Sequence, residues 1–154
     1  MEHARSLCCP SAQPGMPGAV VHGVVDAASG RVAYLQTPQP VTPELLAMTA
    51  PLQPTEVLRF SAACAGDSCR HYTGSCCSLV QRLVQIVPAP EAFTLPACSV
   101  RRTCRWFVEQ GKAACLRCSE IVTDGYDRDP LLAAASQPPE HPSGAVASHA
   151  TASG

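Results

Sequence analysis

Aromatic residues are scarce: one Trp, three Tyr and three Phe in 154 residues. That excludes a large aromatic core. Charge is thin as well. Charged residues make up 15% of the chain, against about 25% in an average soluble domain. The formal net charge of −1 excludes a strongly basic nucleic-acid binder by bulk charge, though not a local patch. No run reaches the roughly 18 uninterrupted apolar residues that a membrane span needs. A secretory leader is also missing from the pattern. The leader's apolar stretch is interrupted by Pro10, Pro14, Gly15, Pro17 and Gly18. The expected location is therefore the cytoplasm, where thiols stay reduced. No Gly-rich phosphate loop, G-x-S-x-G or H-E-x-x-H is found, so an enzyme acting on its own is not expected.

What the chain has is cysteine, ten in all. Eight lie between Cys64 and Cys118, and only Cys8 and Cys9 lie outside, where they read as tail thiols. In a reducing compartment such density points to metal binding or catalysis before a disulfide framework. Charge follows the same division. Residues 64–118 carry seven cations and three anions, a balance of +4, and the remainder carries −5. Nearby cations favour the thiolate, which is the form that binds metal. An ordinary solvated surface would give the same count.

The cysteines form two groups. The second, Cys98-x5-Cys104-x10-Cys115-x2-Cys118, supplies four soft ligands. Only Cys115 and Cys118 have the spacing of a zinc knuckle. A [4Fe–4S] cluster accepts ligands spread over several elements, so the irregular spacing leans to iron–sulfur, with structural zinc as the alternative. Disulfides and unliganded thiols remain open. The first group, Cys64-x4-Cys69-x-His71-x4-Cys76-Cys77, offers a mixed metal site from Cys64, Cys69, His71 and Cys76. Adjacent Cys76 and Cys77 point in different directions, so at most one of them joins a given centre. Arg101, Arg102 and Arg105 form a basic face that could meet nucleic acid, although a solvated helix face explains them equally.

The pattern along the chain predicts a small α+β domain over residues 19–124. Disordered tails are expected at 1–18 and 125–154, and bound metal is expected to stabilise the fold. Val20–Val25 and Arg31–Leu35 read as a hairpin around Ser29-Gly30. Thr42 can cap a short helix that starts at Pro43. Leu79, Val80, Leu83, Val84 and Val87 mark one face of a helix over 76–87. A second helix is expected over 99–111, capped by Ser99, with Val100, Cys104, Phe107 and Val108 on one face and Gly111 at its end. A third short helix or turn at 112–122 would place Cys115 and Cys118 on one side.

The stretch LPACSVRRTCRWFVEQGKAACLRCSEIVT, with the upstream CAGDSCRHYTGSCCSLVQRLVQIVP, resembles a group of small Cys-rich bacterial proteins. These carry a C-R-W-[FW]…G-x-x-A-C-x-R-C-P signature. The matching positions are Cys98, Cys104, Arg105, Trp106, Gly111, Cys115, Arg117 and Cys118. Ser119 stands where the signature has Pro. The resemblance implies metal or iron–sulfur binding and no particular activity. The expected function is a small iron–sulfur protein in redox sensing, electron transfer or an accessory role with a protein partner. The alternative is a zinc-stapled module that binds protein or nucleic acid.

Overall fold

The computed structural model describes residues 6–91, 94–125 and 129–139. The chain is α+β, as expected. A four-stranded antiparallel sheet has the order β1-β4-β2-β3, with β1 at Cys8–Ala12, β2 at Val20–Val25, β3 at Val32–Pro40 and β4 at Leu58–Ala63. Short helices α1 (Pro43–Ala47) and α2 (Pro54–Val57) precede β4. Four more follow it: α3 (Ser78–Ile86), α4 (Arg105–Gln110), α5 (Lys112–Cys118) and α6 (Pro130–Ala135). None of the described helices is long and apolar enough to cross a membrane.

The hairpin of β2 and β3 forms as the sequence suggests. Asp26 closes its turn by accepting from the Ser29 amide and hydroxyl, and Gly30 takes a positive φ of 71°. α1 begins as expected, with Thr42 Oγ1 accepting from the Leu45 amide at 3.1 Å and Pro43 in the first turn. α3 buries Leu79, Val80 and Leu83 on its apolar face.

Alternation along β4 assigns the two faces of the sheet. Leu58, Phe60 and Ala62 pack with Ala12 and Val21 on one side, covered by Leu45 and Leu46 of α1. Arg59 and Ser61 are buried between them in the strand. The helices α3, α4 and α5 enclose a second core of Leu79, Val80, Leu83, Trp106, Ala114 and Ile121, with Cys104 and Cys118 inside it. Gly23 permits the close approach of β2 to its neighbours. A Cβ there would lie 2.6 Å from Val32 Cγ1 and 3.3 Å from Arg59 Cβ.

Three expectations are corrected. Residues 8–12 are a strand, not a tail. Proline-interrupted sequence gives β1 no local signal, and pairing with β4 supplies the order (Cys8 opposite Ala63, Cys9 opposite Ala62, Ala12 opposite Phe60). Residues 130–135 are helical. Asp129 Oδ1 caps them through the Leu131 and Leu132 amides, and Ala135 is buried beside α3, where Arg82 Nε donates to its carbonyl at 2.8 Å. Of the expected tails, residues 1–5, 126–128 and 140–154 lie outside the described residues.

The third correction concerns the helix expected over 99–111. A 3-10 turn, Arg101–Thr103, comes first, and α4 starts only after Cys104, whose extended backbone takes the cap position. That rotates the face. Trp106 is buried, whereas Val108 is 56% exposed. Gly111 ends the helix at φ 63°, ψ −143°, a conformation essentially reserved for glycine.

Candidate functional site

Cys98, Cys104, Cys115 and Cys118 line one hollow. Cys98 and Cys104 flank the 3-10 turn, and Cys115 and Cys118 sit one helical turn apart on α5. Tyr34, Trp106 and Phe107 supply aromatic walls. The hollow measures about 20 Å³, room for about one water. Among the described residues, no three Cys, His, Asp or Glu side chains are gathered so as to hold a single metal ion.

Arginines face these sulfurs. Arg59 is buried to 1% exposure and threads its guanidinium under the end of α5. Its Nε donates to the Pro10 carbonyl at 2.5 Å, and its Nη1 donates to the carbonyls of Ile121 and, at 3.2 Å, Cys118. Its Nη2 lies 3.4 Å from Cys118 Sγ. Tyr34 lies beside the Cys118 side chain. Arg101 is near enough to Cys115 to favour its thiolate; it donates to the Pro96 carbonyl, and its guanidinium sits 6.0 Å from the Phe107 ring centroid. Such donors lower the cost of negative charge on sulfur. Burial works against it. Cys98 and Cys115 are held above the ordinary thiol range, and Cys104 is pushed up to about 12, in each case chiefly by loss of solvent. The bare thiols of these three are therefore protonated at neutral pH. Metal uptake would have to release their protons.

Sequence reasoning missed His22. It lines the same hollow, is 1% exposed, and has no hydrogen-bond partner at either ring nitrogen. Its ring stacks on Tyr34, with centroids 6.0 Å apart. Burial, followed by the nearby Arg59 charge, lowers its pKa to about 3, so the ring is neutral and carries one N–H. The only signal in the sequence was a polar residue inside the apolar run VVHGVV. A pH dependence follows. Below about pH 6.5 the unfolded chain takes up a proton that the folded chain refuses until about pH 3. Stability is therefore full above the unfolded pKa and is lost as pH falls through that window. The expected loss from His22 is about 2 kcal/mol between pH 7 and pH 5. Urea unfolding at the two pH values measures it, and His22→Gln should remove most of the difference.

The first cysteine group comes together differently from expectation. Cys64, Cys69 and His71 line a larger cleft of about 580 Å³ together with Cys9 and Cys77. Cys76 is not on its wall. A small hairpin, with Tyr72 bridged to Cys77 and Gly74 at φ 92°, turns the adjacent cysteines apart. Cys76 Sγ instead meets Thr73 Oγ1 at 3.2 Å and Gln81 Nε2 at 3.3 Å. His71 is engaged too. Arg82 Nη2 approaches its Nδ1 at 3.1 Å, and since guanidinium only donates, Nδ1 is the acceptor and Nε2 carries the proton. Neither ring nitrogen offers a free lone pair to a metal.

The arginines do not form a common solvent-facing patch. Arg105 Nε donates to Cys64 Sγ at 3.1 Å, and its Nη1 pairs with Glu109 at 2.9 Å. With Arg101 directed at Cys115, Arg102 is the exposed member of the trio. No family model, curated protein or solved structure matches this chain.

Proposed function

We propose that this chain is a small iron–sulfur protein in which Cys98, Cys104, Cys115 and Cys118 hold a [4Fe–4S] cluster, and that it serves electron transfer or redox sensing with a protein partner. One observation carries the reading: four thiols from two separate segments line a single hollow. The chemistry of the donor set fits. Thiolates are the soft ligands such clusters take. Arg59 at Cys118 and Arg101 at Cys115 offset negative charge. Trp106, Phe107 and Tyr34 limit water at the sulfurs, and the free N–H of His22 is a donor without another partner. A bound cluster would supply one-electron chemistry at a potential tuned by hydrogen bonds and solvent access. The hollow has to widen to admit it. Its outer wall, with Cys98, Arg101, Phe107 and Cys115 only half-buried, is the side that can move.

Anaerobic purification with an absorption spectrum and with iron, sulfide and zinc analysis tests the proposal. The expected result is a brown protein with a broad band near ~400 nm and acid-labile sulfide. A colourless protein with stoichiometric zinc would replace this reading with the zinc-stapled module. A compact, metal-free protein would overturn both.

A further inference from the structure

We propose that the cleft lined by Cys9, Cys64, Cys69 and Cys77 is a second iron–sulfur cluster site, separated from the first by the Trp106 side chain. The inference goes beyond a single centre and rests on the iron–sulfur reading only for the type of cluster. Four cysteines from three parts of the chain line this cleft: β1, the segment just after β4, and the hairpin before α3. No local sequence spacing brings Cys9 to this place. Pairing of β1 with β4, extended by the Cys64 amide donating to the Leu7 carbonyl at 2.9 Å, does so. Adjacent Cys8 and Cys9 point to opposite sides of their strand. Cys8 packs against the core that contains Cys104, its Sγ 3.7 Å from Thr103 Oγ1, while Cys9 lines the cleft.

One cation is placed for anionic sulfur in the cleft. Arg105 donates to Cys64 Sγ and is held by Glu109, and the other Glu109 oxygen accepts the Cys77 amide at 2.7 Å. One ion pair thus fixes two of the four cysteines. The Arg105 guanidinium also covers Tyr72, 5.2 Å from its ring centroid. With a volume of about 580 Å³ the cleft has space that the first hollow lacks. Trp106, 2% exposed, lines both. Two centres on its two sides would be close enough to interact magnetically once reduced.

The experiment is anaerobic reconstitution of the full chain with ferric iron, a thiol reductant and sulfide, so that each four-iron cluster can hold two ferric and two ferrous ions. Iron and sulfide are then counted, and the loaded chain is alkylated with iodoacetamide and mapped by mass spectrometry. About eight iron atoms per chain are expected, the content of two four-iron clusters. Cys9, Cys64, Cys69 and Cys77 should be protected together with the four cysteines of the first centre, and Cys76 should be labelled. The double variant Cys64→Ser/Cys77→Ser should fall to about four iron atoms, whereas Cys76→Ser should keep the full content. Dithionite reduction should give an electron paramagnetic resonance spectrum split by spin coupling, which the double variant loses. About four iron atoms with Cys9, Cys64, Cys69 and Cys77 labelled would overturn the second site and leave the first standing. Iron protected only by these four would do the reverse. The mapping is made on the wild-type chain, so the proposal stays testable if the double variant does not fold.

Discussion

Cys118→Ser is expected to lose the cluster of the first hollow and to fold less stably. Cys118 is buried in the helical core at the end of α5, where it meets Arg59 and Tyr34. Serine keeps the volume but is a poor ligand for soft metal. In small domains bound metal contributes on the order of 10 kcal/mol to folding, which is comparable to the whole stability of an ordinary domain. Losing one ligand should therefore remove this centre's share of the absorption band and lower the thermal transition. Cys76→Ser is the control. Its sulfur is hydrogen-bonded to the Thr73 and Gln81 side chains and lines neither cavity, and a change of less than about 1 kcal/mol is expected. Absorbance and circular dichroism on the two variants, prepared side by side without oxygen, measure the contrast. A Cys118→Ser protein as brown and as stable as the wild type would remove Cys118 from the ligand set.

Arg59→Met should be the most damaging change away from the sulfurs. The side chain joins three segments through carbonyls: Pro10 of β1, Cys118 of α5, and Ile121 after it. Methionine fills the space of the aliphatic stem but leaves those oxygens buried without the guanidinium. A loss of roughly 3–5 kcal/mol is expected from abandoned acceptors at a buried charged group. Arg59→Lys should recover little, because an ammonium cannot present the planar fork that reaches all three. Urea unfolding of the two chains as isolated without oxygen, matched for iron content, measures this effect. Equal midpoints for wild type and Arg59→Met would show that the carbonyls find other partners.

Local signals were legible in the sequence where the element makes its own case. The hairpin had Ser29-Gly30, α1 had Thr42 and Pro43, and α3 had a clean apolar face. β1 had none of these, since its order comes from a partner some fifty residues downstream. The α6 start did carry a signal, Asp129 followed by Pro130. A tail rich in Ala, Pro and Ser obscured it. The grouping of Cys98, Cys104, Cys115 and Cys118 was readable because all four lie in one short stretch. The Cys9, Cys64, Cys69 and Cys77 set was not, because it depends on strand pairing and on which way a six-residue hairpin turns Cys76 and Cys77. Arg59 and His22 were hidden by their setting, single polar residues within apolar strands that a hydropathy pattern treats as interruptions.

The strand order has a consequence for biosynthesis. Among the described strands β1 is made first, yet its one neighbour in the sheet is β4, the last of them to be made. While the ribosome extends the nascent polypeptide, Cys8 and Cys9 wait outside the exit tunnel with no edge to dock on. Closure of the sheet has to follow emergence of Leu58–Ala63. Oxidant or stray copper arriving in that interval meets those two thiols before any other part of the protein can shelter them.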